Sequence, residues 1–162
     1  MRVAVLSDTH DNIWKLEAAL AHIQRAEAVI HCGDLCSPFL LRMLAEGVGA
    51  RPVHVVWGNN DGDKLLLARV AGGHPEVRLY GQFAELDLAG VAAAVNHYPE
   101  IARPVALSGK YRLVCYGHNH TAREERIGDC LLLNPGELAG IQGRSTIALV
   151  DTADLSVEWV EL

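Results

Sequence analysis

RVAVLSDTHDN, residues 2–12, is a short apolar run that breaks into a polar turn and then into a helical pattern. Arg2 to Leu6 does not alternate apolar with polar, as a strand covered on one face would; Val3, Ala4, Val5 and Leu6 are all apolar. That is the pattern of a strand buried on both faces. Asn12 is a candidate N-cap, and Ile13, Leu16, Ala19, Leu20 and Ile23 recur at helical spacing up to Gln24. The same alternation then repeats. Ala28 to His31 reads as a strand, and Ser37-Pro38 opens a helix through Ala45, with Ser at the N-cap and Pro at the first helical position. Pro52 to Trp57 reads as a third strand and Asp61 to Val70 as a third helix. A βαβαβ series of this kind predicts a parallel sheet with helices over it.

The second half has a different rhythm. Phe83 to Leu88 and Val91 to Asn96 flank Ala89-Gly90 as a hairpin, and Pro99 to Leu107 is a short helix. Leu113 to Tyr116 is again a continuous apolar strand. Glu124 to Ile127 and Cys130 to Leu133 form a hairpin about Gly128-Asp129, and Ser145 to Val150 pairs with Leu155 to Val160. The reading is two packed sheets with helices outside.

With 162 residues, half of them apolar and 21% charged, the chain reads as one folded domain, residues 1–162. Its net charge of −6 and its lack of any Lys/Arg run argue against an extended nucleic-acid surface. Asp8 cuts short the first apolar run, and no stretch approaches the ~18 apolar residues of a membrane span. Cys32, Cys36, Cys115 and Cys130 form no C-x-x-C pair; they read as free thiols of a cytoplasmic protein, with Cys32, Cys115 and Cys130 in apolar, strand-like settings.

The chemistry sits at the strand ends. Asp8-Thr9-His10 follows the first strand, Gly33-Asp34 the second, and Gly58-Asn59-Asn60-Asp61 the third. His97 ends another apolar run, and Gly117-His118-Asn119-His120 follows Leu113 to Tyr116. In open α/β sheets, loops beyond the carboxyl ends of the strands converge on ligands, and glycines let the backbone turn and approach closely there. Two carboxylates, one amide and four imidazoles are enough to hold two divalent metals, the arrangement many phosphoesterases use on P–O bonds.

The motifs D-x-H, G-D, G-N-x-D, H and G-H-x-H, in this order, resemble those of the calcineurin-like metallophosphoesterase superfamily, from Arg2 to about Arg144. The short chain and the Asn-Asn-Asp motif are similar to its small phosphodiesterases of the YfcE type. The resemblance implies a four-layer αββα sandwich of two mixed β-sheets flanked by helices. It implies that Asp8, His10 and His120 hold one metal, that Asn59, His97 and His118 hold a second, and that Asp34 bridges both. It also implies that a hydroxide between the ions attacks a phosphate diester. Imidazole and carboxylate suit manganese, with nickel, iron, zinc or magnesium as alternatives. Where many larger members have a proton-donating His, this chain has Asn60, which cannot act as a general acid but can donate a hydrogen bond to phosphate. A lost proton donor typically costs on the order of 10²–10⁴ in rate, so diesters or activated leaving groups are expected as small-molecule substrates. Asp61 is a candidate for orienting a metal-bound group. Other readings within the fold are a protein-binding scaffold of the Vps29 type, and a phosphomonoesterase or dinucleoside polyphosphate hydrolase.

The remaining candidates have plainer readings. His22 is expected on a solvated helix face, His31 and His54 as satisfied strand residues, and His74 in a turn. Asn134-Pro135-Gly136 is a turn, and the resemblance gives it a modest structural role at the site floor. Arg144 is equally a phosphate ligand or a solvated charge. Trp14, Phe39 and Trp57 are expected in the core, and the C-terminal strand pair is a candidate homodimer edge.

Overall fold

A computed structural model describes residues 1–162. Eleven strands form two mixed sheets, flanked by four helices. In chain order the elements are β1 (Arg2–Leu6), α1 (Ile13–Ile23), β2 (Ala28–His31), α2 (Pro38–Val48), β3 (Val53–Val55), α3 (Lys64–Gly72) and β4 (Val77–Leu79). They continue with β5 (Phe83–Leu88), β6 (Val91–Asn96), α4 (Pro99–Leu107), β7 (Leu113–Cys115), β8 (Arg123–Ile127), β9 (Cys130–Asn134), β10 (Thr146–Asp151) and β11 (Ser156–Glu161). One sheet has the order β11-β10-β1-β2-β3-β4 and the other β5-β6-β7-β9-β8. β1 to β4 are mutually parallel, as are β6, β7 and β9. No helix is long and apolar enough to cross a membrane.

The layering follows from the all-apolar strands. On β1, Ala4 and Leu6 pack against Leu16, Ala19 and Ile23 of α1 and Leu41 and Leu44 of α2. Val3 and Val5 point the other way, into a cluster with Ile30 of β2, Val95 of β6, Cys115 of β7 and Leu133 of β9. β9 repeats the device: Leu132 packs with Ala102 and Ala106 of α4, while Leu131 and Leu133 face the first sheet. Period-two alternation thus separates two apolar faces, and the layers run helices, sheet, sheet, helix. The expected four-layer sandwich is borne out.

Several expectations shift at the edges. Val77-Arg78-Leu79 was not anticipated as a strand; three residues carry too little periodicity, and β4 exists by pairing with β3. α3 begins at Lys64 under an Asp63 cap rather than at Asp61, because the Asp61 carboxylate accepts backbone N–H groups of earlier loops. Asn12 does cap α1, accepting from the Lys15 N–H. Ser37 precedes Pro38 as expected but gives its hydroxyl to Asp11 instead of capping α2. Trp14 and Phe39 are not core residues: they are 74% and 53% exposed. α1 turns Leu16, Ala19 and Ile23 to the sheet and α2 turns Leu40, Leu41, Leu44 and Val48, so Trp14 and Phe39 fall on the outward sides of their helices. His22 is half-buried rather than solvated, and Trp57 is half-buried.

Leu41→Ala, which empties a fully buried position under α2, should lower the unfolding free energy in urea by ~2–5 kcal/mol. Trp14→Ala should change it by less than about 0.5 kcal/mol. A large loss for the Trp14 variant would show that its ring is packed after all.

Candidate metal centre

The carboxyl ends of β1, β2, β3, β6 and β7 deliver their loops to one place. The Asp8 N–H donates to the Gly33 carbonyl at 3.0 Å, the His10 N–H to the Asp34 carbonyl at 3.1 Å, and the Gly117 N–H to the His97 carbonyl at 3.0 Å. The His118 N–H reaches Asp8 Oδ2 at 3.0 Å, which joins the loops of the two sheets. The chain must bend sharply to do this. Asp8, His10, Asp34, His118 and His120 all adopt left-handed backbone, with φ between 42° and 74°. Each such residue costs of order 1 kcal/mol or more and persists only where its surroundings impose it.

Two glycines are required by close approach. A Cβ at Gly58 would stand 2.2 Å from Asp34 Oδ1, and one at Gly117 would stand 1.9 Å from Ser7 Oγ and 2.6 Å from Asp8 Oδ2. No side chain fits either space without displacing a carboxylate.

The seven anticipated side chains meet in two adjoining clusters. In the first, Asp8 Oδ1 lies 3.3 Å from His120 Nε2 and 3.7 Å from His10 Nε2. The two histidine Nε2 atoms face each other at 3.2 Å. In the second, His97 Nε2 lies 3.1 Å from Asn59 Oδ1 and 3.4 Å from Asp34 Oδ2, and His118 Nδ1 lies 2.9 Å from the same Asn59 oxygen. Asp34 Oδ2 is also 3.7 Å from His10 Nε2, so this carboxylate touches both clusters.

Proton accounting shows what these clusters lack. His97 Nδ1 sits 2.8 Å from the Cys32 carbonyl, which can only accept, so Nδ1 carries the ring hydrogen. The neutral ring then aims its Nε2 lone pair at two oxygens that are themselves acceptors. His120 Nδ1 contacts a carboxylate oxygen of Glu137 at 2.9 Å, which likewise puts its Nε2 lone pair towards Asp8 and His10. Asp8 Oδ1 is buried without a hydrogen-bond partner. Acceptor atoms of Asp8, Asp34, Asn59 and the His97 and His120 rings converge here, and a bound cation is the simplest way to satisfy them. Burial opposes charge on His97, but the Asp34 carboxylate overcomes it and raises its pKa, while the nearby Asp8 carboxylate raises that of His10. Burial likewise opposes ionisation of Asp34, yet contacts with His97 and Asn60 hold its carboxyl well below the usual range. The donor set of imidazoles, carboxylates and one amide therefore fits divalent metal ions. Cys36, with Sγ 3.7 Å from His10 Nδ1, does not join it; burial and the nearby acid Asp11 push its thiol up to about 12, so it stays protonated.

Asn60, expected to donate to phosphate, is turned elsewhere here, whereas Asp61 takes an orienting role of the kind expected of it. Asn60 gives its backbone N–H to Asp34 Oδ1 at 2.7 Å and its side-chain amide to Oδ2 at 2.8 Å. Its amide is engaged with this carboxylate rather than held free for phosphate. Asp61 accepts the N–H groups of Gly58, Asp34 and Cys36 at 2.7, 3.0 and 2.8 Å. It orients the backbone of two loops, and Asp34 through them.

Sequence reasoning missed Glu137. It is 1% exposed and spans from His120 Nδ1 to the Gln142 N–H, which it meets at 2.5 Å. The signal was available, since an acid follows Asn134-Pro135-Gly136 directly, but its partner is 17 residues away in the chain. The Asn134 amide donates to the carbonyl of Gly117, so the turn does support the floor of the site. Burial lowers His31 to about 4, and as a neutral ring it accepts from the Gly33 N–H and contacts Thr9 Oγ1, bracing two of the loops. His54, in β3, pairs with the Tyr80 hydroxyl away from the site.

Residues 1–155 match the family described as the calcineurin-like phosphoesterase superfamily domain. The chain is 31% identical over 157 residues to phosphodiesterase MJ0936 of Methanocaldococcus jannaschii, covering 94% of this chain and 93% of that one. Among solved structures, that of an archaeal phosphodiesterase superposes with a TM-score of 0.91 at 28% identity over all of both chains. Zinc-bound Vps29 from Entamoeba histolytica superposes with a TM-score of 0.69 at 16% identity over 100% of this chain and 98% of that one, a likeness of fold alone.

Glu137→Gln keeps an oxygen for the His120 ring but removes its charge. Calorimetric titration with Mn²⁺ should give binding 10–100-fold weaker than in the unaltered chain, the usual effect of losing such a partner. Unchanged affinity would mean that Glu137 only braces the loop.

Proposed function

The chain belongs to the calcineurin-like phosphoesterase superfamily, and we propose that within it this protein is a metal-dependent phosphodiesterase working through a pair of divalent cations. Asp8, His10 and His120 would hold one cation, and Asn59, His97 and His118 the other, with Asp34 reaching both. The observation that carries the reading is the convergence of these seven groups within contact of one another, with Asp8 Oδ1 buried and left without a hydrogen-bond partner. The identity to a named phosphodiesterase along nearly the whole chain supports it. Two divalent cations, when bound, would polarise a phosphoryl group and make water nucleophilic near neutral pH.

The chain's own groups supply the rest. Asp34, ionised well below neutrality, is aimed by Asn60 and by the backbone that Asp61 holds. Only two of the seven donors are anionic, so the loaded site keeps positive charge for a phosphate. Position 60 offers an amide that cannot release a proton, so departure of a strongly basic alkoxide gets no help from it. Diesters with a good leaving group fit this site better than alkyl monoesters. The donor set suits Mn²⁺, with Fe, Ni, Zn or Mg as alternatives. The unpaired cysteines support a cytoplasmic setting, and the lack of a basic stripe supports small phosphoesters over polymeric nucleic acid.

A second reading concerns the outer face. Trp14, Phe39 and Leu65 are 74%, 53% and 66% exposed in the first turns of α1, α2 and α3. Exposed apolar side chains at the second residue of three successive helices favour an added role in holding a protein partner, which the catalytic reading permits.

Hydrolysis of bis(p-nitrophenyl) phosphate should vanish on chelation and return with Mn²⁺, and should exceed that of p-nitrophenyl phosphate in kcat/KM. Asp34→Asn should lower diester turnover by on the order of 100-fold or more, beyond the loss of an outer partner. Dominant monoester turnover would sink the diester reading, and turnover insensitive to chelation would sink the metal one.

A further inference from the structure

Next to His120 lies a cavity of about 490 Å³ whose walls include His120, Glu137, Thr121, Gln142, Arg144 and Trp159. Its size falls within the roughly 300–1,000 Å³ of small-molecule sites. Of the seven metal-donor candidates only His120 lines it, so it adjoins the metal centre without being the centre itself. We infer that this cavity receives one ester arm of the substrate, and that the arm is a planar aromatic group such as a nucleobase or an aryl ring. The inference rests on the phosphodiesterase reading, since it places a group attached to the reacting phosphate.

Charge argues first. Arg144 is the only Lys or Arg in the lining, and it is paired with Glu161 through Nε at 3.1 Å and Nη2 at 2.5 Å. The buried Glu137 is taken up by His120 and the Gln142 N–H. An anionic arm would therefore have to compete with Glu161 for the one guanidinium in the lining, and it would lie beside the Glu137 carboxylate. A neutral group meets no such mismatch.

Shape and surface argue next. Trp159 lies on β11, the edge strand of its sheet, opposite Ala148 of β10. Ala148 is fully buried, whereas Trp159 remains 38% exposed at the cavity wall. An indole there presents a ring for stacking, and base–aromatic stacking is among the strongest contacts that tolerate different bases. Thr121 and Gln142 are both exposed; the Thr121 hydroxyl, which donates to the Asn119 carbonyl, can accept, and the Gln142 amide can donate and accept at the edge of such a ring. The tie from Glu137 to both His120 and Gln142 sets this lip at a fixed place relative to the metal donors.

The test is equilibrium binding to the Mn²⁺-loaded protein of thymidine 5′-monophosphate, phenyl phosphate and methyl phosphate, which share a phosphate and differ in the arm. The aromatic ligands should bind on the order of 10-fold more tightly than methyl phosphate. Trp159→Ala should abolish that preference, and Trp14→Ala, at an exposed ring outside the cavity, should leave it in place. Trp159→Leu, which keeps apolar bulk without a ring face, gives the same answer if the alanine variant does not fold. Thymidine 5′-monophosphate binding above phenyl phosphate assigns the cavity to a nucleobase, and parity assigns it to any aryl group. Equal binding of all three ligands, no binding by any, or a preference that survives loss of the Trp159 ring would overturn the inference. Failure of the phosphodiesterase reading shows separately, as absent diester turnover in a protein that still prefers the aromatic ligands.

Discussion

The Asp34 carboxylate is the point on which the architecture turns. It follows β2 in a left-handed backbone, presses against Gly58 closely enough to forbid a Cβ there, and touches His10 and His97 from two different loops. Asn60 grips both of its oxygens and Asp61 holds the backbone on either side of it. A buried, ionised carboxylate is expensive unless it is compensated on every side. Much of the loop chemistry can be read as that compensation, arranged so that one oxygen still faces the imidazoles.

The same compensation is incomplete where it matters. Asp8 Oδ1 has no hydrogen-bond partner, two imidazole Nε2 atoms face each other, and His97 aims a lone pair at two acceptor oxygens. Left-handed conformations at five of the surrounding residues add to the cost. The fold can sustain this because the layers beneath are apolar on both faces, with the β1 and β2 strands fully packed behind the loops. A rigid scaffold carrying a strained, under-satisfied rim is what a preorganised cation site requires.

The αββα arrangement explains why donors come from opposite halves of the chain. The parallel strands of the first sheet bring Asp8, His10, Asp34 and Asn59 to its carboxyl edge. The parallel pair β6 and β7 of the second sheet brings His97, His118 and His120 to meet them. The link from the His118 N–H to Asp8 Oδ2 joins these two groups directly. Glu137 extends the chain of contact from His120 into the loop before β10. His120 and the neighbouring cavity are in this way braced by one side chain.

What could be read from residues alone was whatever depends on local order. Apolar strands without alternation implied burial on both faces, and helical spacing placed α1 and α2. Donors immediately after strands named the seven side chains that the structure brings together. Local order did not reveal β4, whose three residues are a strand only through pairing with β3, or the exposure of Trp14 and Phe39, which depends on which face each helix turns inward. Nor did it reveal that Asn60 serves Asp34, that Glu137 supports His120 from 17 residues away, or that Trp159 walls a cavity. Those are matters of direction and distance between segments far apart in the chain. Composition and periodicity fix which side chains lie on a buried strand or at its end, whereas the partner that each polar group finds is decided only when the sheets pack and the loops close on one another.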